Sequence, residues 1–206
     1  MKGLYRFAGI TVEIDTAWPE THTLCAAYRA EGFADFAVET GQTEIEYERE
    51  KSAREEEKEG IPHRHFSDGY LETLAVYRKI AEKLPEYDAL LFHGSGLSAD
   101  GAGYLFTAKS GTGKSTHARL WREYLGGRAV MVNDDKPIIR LTDFGAMVCG
   151  TPWDGKHRLS CNISVPLRAV CILERAAENK IRPITLSEAY PMLLQQVYRP
   201  ADTGAM

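Results

Sequence analysis

Apolar and polar residues alternate along two parts of the chain in a manner typical of β-strands. Near the start, runs bounded by Gly, Asp or Pro predict strands at residues 4–7, 10–14 and 33–38. Beyond residue 88 the sequence becomes strand-rich, with strands predicted at 89–93, 103–108, 128–133, 137–141, 145–149, 167–174 and, shorter, 180–184. Asp100-Gly101 separates two apolar runs, so we expect a β-hairpin that leads into the 103–108 strand.

Apolar residues with helical spacing occur in two other segments, 67–84 and 115–125. In the longer segment, the residues on or near one face are Leu71, Leu74, Ala75, Ile80 and Leu84. Residues 44–59 differ from both, because they include eight glutamates and four basic residues. This composition indicates a solvated helix or a mobile linker, and an acidic docking site is the alternative.

The order of these elements predicts two regions of unequal size. A chain of 206 residues, 44% of them hydrophobic, can bury one sizeable core and a smaller second one. We expect a small α+β region with the charged helix or linker at residues 1–85, and a larger core at residues 86–206. Strands dominate this core, so it departs from strict β-α-β alternation. We therefore predict an α/β fold with a mixed, largely antiparallel sheet and helices packed on one side.

The charge and the cysteines narrow the range of partners and compartments. A net charge of −4 and a pI near 5.9 provide no basic field, so we expect no nucleic-acid partner. No apolar run approaches the roughly eighteen residues of a membrane span, and the N-terminus lacks the apolar stretch of a signal peptide. The four cysteines have no metal-binding spacing and indicate reduced thiols. We expect a cytoplasmic protein without a membrane partner, and homo-oligomer formation is left open.

The most specific motif is Ala108-Lys109-Ser110-Gly111-Thr112-Gly113-Lys114-Ser115-Thr116, which joins a predicted strand to a predicted helix. This pattern is typical of a phosphate-binding loop (P-loop), and an incidental Gly-rich turn is the alternative. Lys114 would reach the β- and γ-phosphates of ATP, and the Ser115 hydroxyl would bind Mg²⁺. The predicted nucleotide-binding residues are Ser110, Gly111, Thr112, Gly113, Lys114, Ser115 and Thr116.

Two adjacent carboxylates, Asp134 and Asp135, follow the predicted strand at residues 128–133. In a nucleotide site, one carboxylate could hold Mg²⁺ while the other takes a proton from an attacking hydroxyl. The alternative is a plain Asn-Asp-Asp turn between two strands. The nearby P-loop motif favours the interpretation as a site.

The chain resembles the HPr kinase/phosphorylase group, which shares its nucleotide-binding core with phosphoenolpyruvate carboxykinases. The resemblance is carried by Leu91-Phe92-His93-Gly94, residues 106–116 and Asn133-Asp134-Asp135, and it covers roughly residues 88–175. It implies a carboxykinase-like P-loop fold and places His93 beside the catalytic aspartate, although by its chemistry alone His93 could be a structural residue. It also implies Asp134 as the base and Asp135 as a metal ligand with Ser115, and the reverse assignment of the two aspartates is left open.

The chain departs from that group in two respects. Thr116 follows Lys114-Ser115 where HPr kinases have Glu, and residues 1–85 do not look like their N-terminal domain. The chain is more similar to shorter HPr-kinase-like proteins, some of which phosphorylate serine in a peptide or as the free amino acid. Because those proteins continue past the point where this sequence stops, the core is expected to lack a C-terminal segment.

A turn-rich loop at residues 150–158 carries Lys156, His157 and Arg158. Lys156 or Arg158 could neutralise charge during phosphoryl transfer, and the alternative is a surface loop held by a buried Trp153. Together the motifs predict a Mg²⁺- and ATP-dependent kinase for a hydroxyl acceptor, with catalytic residues Asp134, His93, Lys114 and Lys156. The alternatives are a regulatory module that binds nucleotide without rapid hydrolysis, and a carboxykinase-like or phosphorylase activity on another substrate.

Overall fold

The polypeptide chain divides into two units between Lys83 and Leu84. The computed structural model describes residues 1–199. The boundary expected from the sequence lies after residue 85. Residues 200–206, which belong to the predicted core, and the predicted loss of a further C-terminal segment lie outside the described residues.

The first unit combines a small mixed sheet with helices. Its strands are β1 (Lys2–Phe7), β2 (Ile10–Asp15) and β3 (Phe36–Glu39), and its helices are α1 (Glu20–Leu24), α2 (Gln42–Glu59) and α3 (Asp68–Lys83). A short 3-10 helix spans Ala26–Tyr28. β2 pairs antiparallel with β1 and parallel with β3. The third strand begins later than predicted, since Phe33 is almost fully exposed and, within residues 1–199, belongs to no strand.

The charged segment at residues 44–59 forms most of helix α2, so the interpretation as a solvated helix is correct. The Gly41 N–H donates to the Glu44 carboxylate at the start of the helix (3.0 Å). α2 is not solvated on all sides, because Glu48 is buried and accepts a hydrogen bond from the Arg78 guanidinium of α3 (2.6 Å). This ion pair joins α2 to α3 within the first unit.

The second unit is built on a seven-stranded sheet. Its strands are β4 (Ala89–Leu91), β5 (Ser95–Ala99), β6 (Ala102–Thr107), β7 (Ala129–Asn133), β8 (Ile138–Thr142), β9 (Gly145–Cys149) and β10 (Ser164–Ile172). The helices are α4 (Lys114–Leu125) and α5 (Leu186–Leu194), with 3-10 turns at Leu84–Tyr87 and Gly126–Arg128. The strand order is β4-β8-β9-β10-β6-β5-β7, and β10 with β6 is the parallel pair among antiparallel neighbours. The predicted mixed α/β character is confirmed.

Several local predictions can be compared with this sheet. The hairpin at Asp100-Gly101 is confirmed, since β5 and β6 pair antiparallel from Ala99 and Ala102 outward. The strand predicted at 180–184 is wrong, because these described residues form no strand. Pro183 lacks the N–H that a ladder needs, and Ile181 is almost fully exposed. Helix α5, which the apolar pattern did not predict, follows instead and is capped by Thr185 and Glu188.

Helix α4 packs against strands β5, β6 and β7. Ala118 of α4 is buried among Leu97, Ala99, Phe106 and Met131, and the Phe106 ring lies 5.2 Å from the Trp121 ring. The small Ala118 side chain allows the helix axis to approach the sheet. This contact fixes the start of α4 at the end of β6, where the P-loop motif lies.

Within residues 1–199, no helix is long and apolar enough to cross a membrane.

Candidate functional site

The segment between β6 and α4, residues 108–113, is called the glycine loop below. Gly111 and Gly113 have φ angles of 74° and 118°, values that residues with a side chain rarely adopt. The chain can therefore reverse from strand into helix at Lys114. The first N–H groups of a helix have no partner within it, and Gly113 offers no side-chain cap, so this end of α4 presents backbone donors.

Lys114 is the first residue of α4, and its side chain is half-buried. Its ammonium group donates to the Ala108 carbonyl (3.3 Å). Burial lowers the pKa of Lys114, and the carboxylates of Asp135 and Asp134 oppose this effect. Lys114 thus lies close enough to both aspartates to interact with them electrostatically.

Asp134 and Asp135 follow β7 directly but have different surroundings. Asp134 is 7% exposed, and its Oδ1 accepts a hydrogen bond from the Ser95 hydroxyl (2.7 Å). Asp135 is half-exposed, and its Oδ1 lies 3.5 Å from His93 Nε2 while its Oδ2 lies 3.5 Å from the Lys136 ammonium. Asp135 therefore lies beside the Lys136 ammonium and the His93 ring, and Asp134 is the more enclosed carboxylate.

His93 lies beside Asp135 and is held there by several contacts. Its Nδ1 faces the Gln196 side-chain oxygen (3.1 Å), its backbone N–H donates to the Gln196 carbonyl, and its own carbonyl accepts from the Thr107 hydroxyl. Burial lowers the pKa of His93, Lys114 lowers it further, and Asp135 partly opposes both. The lowered pKa favours the neutral imidazole at pH 7, and Nδ1 shares a hydrogen bond with the Gln196 side chain.

The Asn133 carboxamide at the end of β7 organises the turn that carries the two aspartates. Its oxygen accepts from the N–H groups of Asp135 (2.8 Å) and Lys136 (2.6 Å). Its amide nitrogen points at the Thr151 carbonyl and hydroxyl (both 3.0 Å) and at the Trp153 carbonyl (3.3 Å). Asn133 has no exposed surface, so these bonds replace water completely.

Backbone hydrogen bonds hold both ends of the loop at residues 150–161 next to this turn. The Gly150 N–H donates to the Ile163 carbonyl (2.9 Å), and the Cys161 N–H donates to the Val132 carbonyl (3.2 Å). Gly155 passes close to Asp134, because a side chain added to Gly155 would lie 3.2 Å from Asp134 Oδ2. Trp153 is buried, as one of the two interpretations of this loop requires.

The structure brings only part of the predicted site together. Lys114, Asp134, Asp135 and His93 share one neighbourhood. Among the loop residues, Ser110, Gly111, Ser115 and Thr116 are exposed, whereas Thr112 and Gly113 are half-buried. In the described part of the chain, Ser115 shares no hydrogen bond with either aspartate, and the exposed Lys156 forms no ion pair.

Four residues of this region carried no functional prediction: Ser95, Asn133, Arg175 and Gln196. The sequence does contain a signal for Asn133, because Asn at a strand end before Asp-Asp is typical of a side chain that bonds the turn N–H groups. Arg175 follows β10 and donates to the Gly111 carbonyl (2.5 Å). Its position depends on the parallel pairing of β10 with β6, which no local pattern of the sequence reveals.

We expect Asn133→Asp to destabilise the second unit by about 3 kcal/mol or more. The new carboxylate cannot donate to the Thr151 and Trp153 carbonyls, and it would bury unpaired negative charge against them. Denaturant unfolding of this variant and of the exposed control Asn179→Asp measures the difference. Equal free energies of unfolding in both variants would show that Asn133 does not organise the turn.

We expect His93 to titrate at a lower pH than an ordinary histidine, because burial and the nearby Lys114 disfavour its charged form. Replacing Lys114 by Met should raise the His93 pKa, because this change removes a nearby positive charge. Two-dimensional NMR of the imidazole C–H signals across a pH series measures both values. Lys109→Met, in the same loop, is the matched control. An unchanged His93 pKa in Lys114→Met would place the ammonium away from His93.

Comparison with known proteins corrects the family membership expected from the sequence motifs. None of the curated proteins matches this chain. A family model described as "ScmC: SynChlorMet cassette protein ScmC" matches residues 70–200, and this segment includes all the motifs that carried the resemblance to HPr kinases. Membership of the HPr kinase/phosphorylase group is therefore wrong, because short motifs specify site chemistry and can recur in separate families. Since the match spans more than half of the 206 residues, the chain belongs to the ScmC family of SynChlorMet cassette proteins.

Proposed function

We propose that this protein is an ATP-dependent phosphotransferase that uses Mg²⁺ and transfers the γ-phosphoryl group to a hydroxyl. The acceptor hydroxyl is that of serine in a peptide, a protein or a small molecule. The observation that carries the proposal is the position of Lys114, which begins α4 directly after the glycine loop and lies near enough to Asp135 and Asp134 for both carboxylates to act on its charge. Phosphoryl-transfer sites use a lysine to bind phosphates, and carboxylates to bind Mg²⁺ and take up a proton.

The glycine loop supports the nucleotide part of the proposal as a P-loop. Gly111 and Gly113 provide the backbone conformation, and α4 supplies N–H donors for phosphate oxygens. The Lys114 ammonium would move from the Ala108 carbonyl to the phosphates. The mixed sheet and the strand-loop-helix connection also support a carboxykinase-like architecture for the second unit, as part of the same proposal.

The oxygen donors fit Mg²⁺ in combination with a nucleotide. Within residues 1–199, no three His, Cys, Asp or Glu side chains are grouped as in a metal centre formed by protein alone. Magnesium in nucleotide sites instead uses one or two protein oxygens together with phosphate oxygens and water. Ser115 and Asp135 would hold the ion, and the bound ion supplies neutralisation of phosphate charge.

Asp134 is the better candidate for the base. Asp135 already faces Lys136 and His93, whereas Asp134 faces the Ser95 hydroxyl and, on the Oδ2 side, the side-chain-free Gly155. Because Gly155 has no side chain, none crowds Asp134 Oδ2 from this direction. In the transfer, the acceptor oxygen bonds to the γ-phosphorus, the bond from that phosphorus to the β–γ bridging oxygen breaks, ADP leaves with the electron pair, and the hydroxyl proton passes to Asp134.

We expect Lys114→Ala to weaken Mg-ATP binding about 10- to 100-fold without unfolding the chain, because it removes a charge-assisted contact to phosphate. Lys109→Ala is the matched control, since Lys109 is exposed in the same loop. Calorimetric titration with Mg-ATP compares the two variants with the wild type. If Lys114→Ala binds as tightly as Lys109→Ala, the glycine loop does not hold nucleotide in the proposed manner.

We expect Asp134→Asn to lower phosphoryl transfer about 10²- to 10⁴-fold while ATP affinity is kept. The amide fills the same space and still accepts from Ser95, but it cannot take the hydroxyl proton. Transfer from γ-labelled ATP to a panel of hydroxyl compounds and peptides measures the rate, with Asp143→Asn in an exposed turn as the control. If wild type binds ATP and phosphorylates no member of the panel, the protein is a nucleotide-binding module and the kinase proposal fails.

A further inference from the structure

Arg175 lies just past the end of β10, the strand that runs parallel to the strand before the glycine loop. β10 pairs with β6 as far as Ile172 and Thr107, and the Leu173 N–H still donates to the Thr107 carbonyl (2.8 Å). Arg175 follows Leu173 by two residues, and the glycine loop follows Thr107 directly. Ligands of open α/β sheets bind outside the carboxyl ends of parallel strands. Arg175 therefore leaves the sheet on the side where such a ligand lies.

The guanidinium of Arg175 contacts the glycine loop directly. Its Nη2 donates to the Gly111 carbonyl oxygen (2.5 Å), although the two residues are 64 positions apart in the sequence. Both residues are exposed, and Gly111 precedes Lys114 by three residues. Arg175 thus brings a positive charge to the segment whose N–H groups would hold nucleotide phosphates, and it does so from outside the P-loop motif.

Arg175 differs from the other cations of its segment in its partner. Between β10 and α5, Lys180 pairs with Glu178 (2.8 Å). In the same segment, Arg182 pairs with Glu188 at the start of α5 (3.1 Å). Within residues 1–199, no carboxylate forms an ion pair with Arg175, and a neutral backbone carbonyl is its partner instead. Its charge is therefore not compensated by a carboxylate in the described part of the chain.

A phosphate group is a stronger partner for this guanidinium than the Gly111 carbonyl. The bond to Gly111 uses one of several N–H donors, which are arranged as a planar fork. Phosphate oxygens can accept a pair of parallel bonds from this fork, and bonds between two charged groups are roughly twice as strong as neutral ones. Because the Arg175 side chain is exposed, it can turn toward a phosphate without any repacking of the core.

We infer that Arg175 binds the β- and γ-phosphates of the nucleotide together with Lys114, and that its guanidinium leaves the Gly111 carbonyl to do so. These are the phosphates that a lysine at the position of Lys114 reaches. The inference rests on the proposed function and adds to it a phosphate-binding residue from a separate element, the end of β10. Arg175 remains charged throughout and transfers no proton.

Calorimetric titration with Mg-ATP tests this contact. We expect Arg175→Gln to bind Mg-ATP at least about tenfold more weakly than the wild type, because a charge-assisted contact to phosphate is lost. Since Arg175 is exposed, the variant should fold, which circular dichroism checks. Arg168→Gln is the matched control, because it removes another exposed arginine, within β10, and should bind like the wild type.

A second variant, Arg175→Lys, separates phosphate binding from simple support of the glycine loop. A lysine can still donate to the Gly111 carbonyl, but it lacks the planar fork that matches phosphate oxygens. We therefore expect Arg175→Lys to bind Mg-ATP more weakly than the wild type. If this variant binds as tightly as the wild type, Arg175 only supports the loop and the inference is overturned.

A spectroscopic measurement follows the guanidinium itself. In protein labelled with ¹⁵N-arginine, the Nε–H signal of Arg175 is identified by its absence from the spectrum of Arg175→Lys. We expect Mg-ATP to move this signal and AMP at the same concentration to leave it in place, because AMP lacks the β- and γ-phosphates. A signal that Mg-ATP leaves in place, or that AMP moves equally, would contradict the proposed contact.

The results distinguish this inference from the proposed function on which it rests. If the wild type binds Mg-ATP and Arg175→Gln binds it equally well, the phosphate contact is wrong while the phosphotransferase proposal stands. If the wild type itself does not bind Mg-ATP, both are overturned. Weaker binding by both Arg175 variants, together with a signal that responds to Mg-ATP alone, supports the contact even if no acceptor is phosphorylated.

Discussion

The buried carboxamide of Asn133 is the interaction on which the rest of the candidate site depends. It gives two turn N–H groups an acceptor and offers a donor to carbonyls of the 150–161 loop, all without water. Only a group that both donates and accepts can do this, so neither an aliphatic side chain nor a carboxylate replaces it. Asn133 thereby joins the turn that carries Asp134 and Asp135 to the loop that brings Gly155 close to Asp134.

The directions of the strands in the sheet are the second constraint on the position of the site residues. β6 and β10 run parallel, so the glycine loop after β6 and Arg175 after β10 follow strand ends on the same side of the sheet. Because β5 pairs antiparallel with both β6 and β7, Asn133 at the end of β7 lies opposite Gly96, near the start of β5. Ser95 can therefore reach Asp134. Strand pairing thus brings together residues that are far apart in the sequence.

The sequence was sufficient for features that have a local physical cause. Period-two alternation predicts strands, Asp-Gly predicts the hairpin, and paired glycines before a lysine predict the tight reversal at Gly111 and Gly113. The sequence alone could not predict contacts that the tertiary structure creates. Examples are the hydrogen bond from the Ser95 hydroxyl to Asp134 and the contact of the Gln196 side chain with His93. The strand predicted at 180–184 failed for a related reason, since a short apolar run becomes a strand only beside a partner.

Site chemistry and family membership have separate physical origins in this chain. Lys114, Asp134 and Asp135 are brought together by a loop, a helix start and a strand end, which any fold with that local geometry could supply. The match to the ScmC family instead extends over residues 70–200, a segment far longer than the motifs that carry these side chains. Loops around a site vary more between related proteins than the strands and helices that hold it. The residues that distinguish this protein from others with similar motifs are therefore expected in the loops around Asp134 and not in the glycine loop.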